Sequence, residues 1–196
     1  GFRSIGITHN VNNWAAGGCS PTDNHRFGLT DDGRRLVTDC LSRGMAIDCA
    51  HLSRKGFYDL LPLMDGKPLI NTHACCAHFI DIERNLTNDQ LVKLADTGGV
   101  VGITFVPDFL SSKKTKDVSS HDVFAHLEHA VELIGIDHVA IGGDFDGVRF
   151  LPNDLNNPGQ VSNLVARMME AGWSHEDIAK VVGGNWRRVL SILLPD

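Results

Sequence analysis

Histidine and aspartate recur in this chain at one kind of place. His9 and Asn10 follow a β-rich run at 3–8. Asp48 and His51 lie in and just after a second run at 45–50. His73 closes a third at 68–72, and Asp144 and Asp146 follow another at 138–143, within Gly142-Gly143-Asp144-Phe145-Asp146-Gly147. Strand interiors are poor hosts for ionisable groups unless something offsets their desolvation, and in parallel α/β folds the carboxyl ends of strands are where sites are built. One histidine at a strand end is most often a hydrogen-bonded structural residue. Three histidines and an aspartate spread over four strand ends favour a site. Imidazole nitrogen with carboxylate oxygen suits Zn2+. The motifs of rival chemistries are missing: no GxSxG nucleophile elbow, no GxGxxG dinucleotide turn and no GxxxxGK[ST] phosphate loop. Metal-assisted hydrolysis is the reaction class that remains.

The other histidines of the ten in the chain, at 25, 78, 121, 126, 129, 138 and 175, fall in predicted helices and loops. His126 and His129 stand one turn apart, a spacing that suits a metal pair, but a solvated helix face is the favoured reading. The five cysteines (19, 40, 49, 75 and 76) form no CxxC pair and no disulfide spacing. They read as thiols, with the adjacent Cys75 and Cys76 as buried small residues.

These candidates need a scaffold, and the pattern alternates throughout: short β-rich runs, then longer stretches of helical period. Strands are predicted at 3–8, 45–50, 68–72, 100–106 and 138–143. Thr30 can cap a helix that reaches about Arg43 and ends at Gly44. Further helices are predicted over 53–64, after Thr87 up to Gly98-Gly99, from Ser119 or Ser120 to about Ile134, and from about Pro158, Ser174 and Asn185. Strands alternating with helices argue for an α/β fold with a parallel sheet, read as a single domain over 1–196. Five strands would complete an open doubly wound sheet, whereas a (β/α)8 barrel needs ~250 residues. Pattern alone favours the open sheet; the residues at the strand ends favour the barrel.

Composition narrows the partners. Apolar residues make up 42%, charged residues 21%, and the net charge is -6, the profile of a soluble globular chain. Nucleic-acid binders carry basic patches, and the short Lys113, Lys114, Lys116 group reads as a solvated loop. No apolar run approaches the ~20 residues of a transmembrane helix. Neither a signal peptide at Gly1 nor a lipid-anchor tail at SILLPD is visible, so a cytoplasmic location is the expectation.

The runs SIGITHN (4–10), IDCAHLS (47–53), NTHACC (71–76), IERN (82–85), IGGDFDG (141–147) and GGNWRRV (183–189) make the resemblance specific. In order and spacing they resemble the signature segments of the membrane (renal) dipeptidase family, zinc-dependent metallopeptidases related to the amidohydrolases. The resemblance implies a (β/α)8 TIM barrel with two zinc ions bridged by a glutamate and a water or hydroxide. It implies hydrolysis of dipeptides and, as one expectation, a homodimer. His51 and His73 match the two histidines of the second zinc. Asp144 matches the aspartate over the bridging water, general base and then general acid. His9 matches the oxyanion-stabilising histidine, and Arg84 the arginine that grips substrate. Asp48 and Asp146 read as groups that orient the ligands.

The chain departs from the family in two respects. The family's His-x-Asp motif for the first zinc, and its bridging glutamate, precede the segment that matches Gly1. The chain therefore matches roughly the last five of eight βα units, an arc that would leave two strand edges unpaired. The missing ligands must come from elsewhere in a longer protein or from a partner chain; otherwise the chain is a non-catalytic remnant. Phe109 also stands where the family often has tyrosine. Another amidohydrolase-type hydrolase or deaminase on the same scaffold is the competing activity.

Overall fold

The computed structural model describes residues 1–20 and 27–194. His25, part of the loop expected before Gly28, and the terminal Pro195 and Asp196 lie outside the described residues. Five strands, β1 (Ser4–Gly6), β2 (Ala46–Asp48), β3 (Ile70–Ala74), β4 (Val100–Ile103) and β5 (Val139–Ile141), form one sheet. Every neighbouring pair is parallel, and the spatial order is the sequence order. A doubly wound sheet reverses its order at a switch point, whereas consecutive order throughout belongs to the (β/α) barrel. The sheet is therefore an arc of barrel, as the strand-end residues indicated and the strand count did not.

Helices lie at α1 (Asp31–Ser42), α2 (Arg54–Leu60), α3 (Asn88–Asp96), α4 (Pro107–Leu110), α5 (Ser120–Ile134), α6 (Val161–Glu170), α7 (His175–Ala179) and α8 (Asn185–Leu193). Short polar side chains start several of them. Thr30 Oγ1 accepts the Gly33 N–H at 2.9 Å, Ser53 Oγ accepts that of Gly56 at 3.0 Å, and Thr87 with Gln90 forms a capping box. Each such cap is worth about 1 kcal/mol.

Every strand but β3 is shorter than its apolar run suggested. At the end of β2, Asp48 Oδ1 accepts the N–H groups of both Ala50 and Thr72, each at 3.0 Å. A carboxylate thus replaces the ladder at the point where the chain turns toward the site.

The strands alternate their side chains between two apolar layers. Ile47, Val101, Ile103 and Val139 join the main core with Val37, Leu91, Leu94, Val123 and Leu127 from the flanking helices. Ala46, Ile70, Val100 and Ala140 form a second cluster with Val189 and Leu193 of α8. The GGNWRRV segment explains how α8 is held there. Asn185 Nδ2 donates to the Ile136 and Val139 carbonyls, Trp186 Nε1 donates to Ile141 O at 2.9 Å, and Arg188 donates to Gly98 O and Asp137 O. Truncating a core residue such as Phe57 or Phe105, both fully buried, would cost about 3–5 kcal/mol.

All five cysteines are buried free thiols, as their sequence context indicated. Among the described residues no helix is long and apolar enough to cross a membrane.

Candidate metal and catalytic site

His51 sits just past β2 with φ +66°, a left-handed conformation that costs a non-glycine residue about 1–3 kcal/mol. Thr8 Oγ1 holds the strained turn by donating to His51 O at 2.9 Å. The turn aims the ring inward. Nδ1 of His51 meets Asn10 Oδ1 at 3.0 Å, and Nε2 meets Nε2 of His73 at 2.9 Å. His73 lies within β3, its Nδ1 2.8 Å from Thr72 Oγ1, which in turn donates to Asp48 Oδ2. The His9 ring lies against that of His51, with centroids 4.4 Å apart, and His73 meets His51 edge-on at 4.9 Å. Burial is the main cause that pushes the His51 pKa down to about 3, aided by the positive charge of Arg84 and by His73 and His9. Burial and Arg84 also lower that of His73. Both shifts favour the neutral ring, the form that a metal binds.

Arg84 is buried, donates from Nη2 to His73 O and lies 3.5 Å from His51 Nε2. Its Nε has no hydrogen-bond partner, and among the described residues the guanidinium forms no salt bridge. It lies 5.5 Å from the ring centre of Phe109. A cavity of about 450 Å³ opens beside it, lined by Asn10, Cys19, Ile82, Glu83, Arg84 and Phe109. A buried cation is costly without opposite charge nearby, and Asp48 and Asp144 are close enough to raise its proton affinity.

Asp144 also has positive φ, +58°. The glycines of its run are there for close approach: a Cβ on Gly142 would fall 2.1 Å from Thr72 O, and one on Gly147 would fall 2.1 Å from Asp144 Oδ1. The half-buried Asp144 carboxylate is near enough to raise the proton affinities of both His73 and Arg84.

The fold thus gathers His9, His51, His73, Arg84 and, through Thr72, Asp48, with Asp144 in electrostatic reach. Asp146 is exposed, and no hydrogen bond or ion pair joins it to the imidazoles, so it does not orient them. Sequence reasoning gave no role to Asn10, Thr72 or Thr8. Their signal was adjacency, since each is a small polar residue beside a histidine at a strand end. His126 is a correction. It is fully buried rather than on a solvated face, its Nδ1 accepts the Cys76 N–H and its Nε2 donates to Leu110 O, both at 3.0 Å. With both nitrogens engaged it cannot pair with His129 on a metal.

The donor geometry at His51 and His73 fits zinc. Each Nδ1 has a partner outside the pair, and the two Nε2 atoms converge on each other. Tetrahedral Zn–N bonds of about 2.0–2.1 Å place two ligand nitrogens about 3.3 Å apart, a few tenths of an ångström wider than here. Among the described residues no group of three or more His, Cys, Asp or Glu is arranged to hold a metal. A catalytic zinc uses three protein ligands, so the described residues offer part of a site.

Residues 1–193 match the model of the membrane dipeptidase family, peptidase family M19. A Klebsiella pneumoniae protein described as an uncharacterized protein in the pqqA 5′ region is 32% identical over 97% of this chain and 72% of its own length. The dipeptidase tcpJ of Claviceps purpurea is 30% identical, with 97% of this chain matching 44% of it. A metallo peptidase from Rhodobacter sphaeroides, solved with a phosphinate mimic of the dipeptide L-Ala-D-Ala, superposes with a TM-score of 0.91 at 30% identity. That match covers 98% of this chain and 56% of the solved one. The chain thus spans about half the length of these last two relatives, and by this match and its fold it belongs to the membrane dipeptidase family.

Proposed function

We propose that this chain supplies two histidine ligands and the acid–base group of a zinc-dependent dipeptidase, with the remaining metal ligands, a His-x-Asp pair and a bridging glutamate, coming from sequence outside these residues or from a partner chain. The observation that carries the reading is the convergence of the His51 and His73 Nε2 atoms at 2.9 Å beside the buried Arg84, whose Nε has no hydrogen-bond partner. The phosphinate dipeptide mimic bound by the Rhodobacter sphaeroides relative supports dipeptides as the substrate class.

Zinc, when bound, supplies Lewis acidity: it lowers the pKa of a water and polarises a carbonyl. The protein residues do the rest. Arg84 takes the substrate carboxylate, its guanidinium already desolvated and short of acceptors. Asp144 takes the proton from the attacking water and passes it to the leaving amine. His9, whose ring lies against that of His51, donates to the carbonyl oxygen as negative charge develops. The cavity beside Arg84 and Phe109 receives the side chain next to that carboxylate.

Elemental analysis of the purified protein, with turnover of simple L-dipeptides, tests the reading. About two zinc ions per chain with turnover supports it. One or less, without turnover, favours a non-catalytic piece with a half-built site. In the active protein Asp144→Asn is expected to lower kcat by about 10²–10⁴-fold while zinc content stays the same. Wild-type turnover in that variant would remove Asp144 from the mechanism.

A further inference from the structure

We propose that Thr72 is a positioning residue, a proton relay through which Asp48 fixes the tautomer of His73 and so keeps its Nε2 lone pair open. This rests on His73 being a metal ligand, but it concerns the state of the ring before any metal arrives.

The argument is a count of protons. Thr72 Oγ1 has one hydrogen and two short polar contacts, to Asp48 Oδ2 and to His73 Nδ1 at 2.8 Å. A carboxylate oxygen only accepts. Asp48 is held in that role from its other side, where Oδ1 accepts the N–H groups of Ala50 and Thr72. The Thr72 proton must therefore go to Asp48. The contact to His73 is then a hydrogen bond only if His73 supplies the proton from Nδ1. Neutral imidazole has one N–H, so Nε2 of His73 is bare, and it is the atom facing His51. Three residues on the adjoining strands β2 and β3 thereby determine which nitrogen is open.

The arrangement also explains the buried Asp48, which is 9% exposed and forms no salt bridge among the described residues. Its four lone-pair directions serve two main-chain N–H groups and one hydroxyl, so its acceptor capacity is used to orient rather than to neutralise. The 2.9 Å contact between the two Nε2 atoms needs one hydrogen. With His73 Nε2 bare it comes from His51, so in the metal-free chain the two rings carry opposite tautomers.

Two substitutions act on the relay in opposite ways. In Asp48→Asn the side-chain oxygen keeps the two backbone N–H groups, and the new NH2 donates to Thr72 Oγ1. The Thr72 proton then swings to His73 Nδ1 and forces the hydrogen onto Nε2. Thr72→Val removes the hydroxyl and with it the preference, while Thr72→Ser keeps it. The test is imidazole 15N NMR on the metal-free chain at neutral pH, with an amide spectrum to check folding. Wild type and Thr72→Ser are expected to show His73 as the Nδ1–H tautomer, Asp48→Asn as Nε2–H and Thr72→Val as a mixture. Zinc affinity, from competition with a chromogenic chelator, is expected to fall about 10–100-fold in Asp48→Asn and Thr72→Val and to stay near wild type in Thr72→Ser. An Nε2–H tautomer in the wild type, or an unchanged Nδ1–H tautomer in folded Asp48→Asn, overturns the relay. Neither result bears on dipeptide hydrolysis, and a chain that cleaves no dipeptide can still carry the predicted tautomer, so the two readings fail separately.

Discussion

The chain contains two histidine clusters, and the fold treats them in opposite ways. At the strand ends, His51 and His73 spend their Nδ1 atoms on Asn10 and Thr72 and turn their Nε2 atoms toward each other. Around α5, His126 gives one nitrogen to the Cys76 N–H and the other to Leu110 O. His129 bonds Asn88 Oδ1 at 3.0 Å and stacks flat on His78, with centroids 4.3 Å apart. Ring proximity is similar in both clusters. What separates them is which hydrogen-bonding capacity is left over. On a helix the side chains follow the backbone's own repeat and aim at whatever packs above them. At a strand end, one residue in a strained turn, His51 at φ +66°, can point a nitrogen at a neighbour on the next strand.

The largest expected effect tests this division directly. His73→Ala is expected to weaken zinc binding by more than about 100-fold, beyond the effect of losing an outer partner, with little change in the urea midpoint. His126→Ala should do the reverse. It leaves two buried backbone groups without partners and creates a cavity, which costs about 2–4 kcal/mol of stability, while zinc affinity stays within about threefold because the clusters share no partner. Chelator competition and urea titration on both variants read the two effects. A folded His126→Ala that loses zinc as His73→Ala does would collapse the distinction.

Acid should act on both clusters, since burial lowers the pKa of His51 and His73 as well as that of His126. Burial pushes the His126 pKa down to about 4, below the ordinary value of about 6.5. The unfolded chain therefore binds a proton that the native state refuses. The resulting stability is fully present above about pH 6.5, declines as pH falls toward 4 and levels off below that. A variant without the titrating ring, His126→Gln, is expected to lose less of its urea midpoint between pH 7 and pH 4.5 than wild type does. An equal loss in both proteins would move the acid sensitivity elsewhere.

The same contrast explains what could be read in the sequence. His9, His51, His73 and Asp144 were legible because each directly follows a β-rich run, and a parallel fold sends all such positions to one end. The caps at Thr30 and Thr87 were legible because hydroxyl residues before an apolar period have one main structural use. His126 was misjudged because helical spacing gives the face of a residue and not its cover. That cover is Phe79, 4.4 Å away, and the Cys76 amide, fifty residues earlier in the chain. Nor could a sequence give the positive φ of His51 and Asp144, since neither is glycine. The relay role of Thr72 was hidden for a different reason: it depends on where one proton goes, and that follows from Asp48 on the neighbouring strand.

The smallest effect is expected at Phe109, where the family often has tyrosine. Its ring lines the cavity and lies under the Arg84 guanidinium, so it touches the group proposed to hold substrate without touching the imidazoles. Phe109→Tyr keeps the ring and adds a hydroxyl beside about 450 Å³ of open space, so kcat should stay near wild type and KM should change by no more than about threefold, within the reach of one exposed hydrogen bond. Phe109→Leu removes the aromatic face. A cation–π contact of this kind is worth about 0.5–1 kcal/mol, which corresponds to a rise in KM of about two- to fivefold with kcat unchanged. Steady-state kinetics on a dipeptide separates the alternatives. A large fall in kcat would place Phe109 at the reacting atoms, whereas unchanged KM in the leucine variant would mean that Arg84 is oriented by the His73 carbonyl alone.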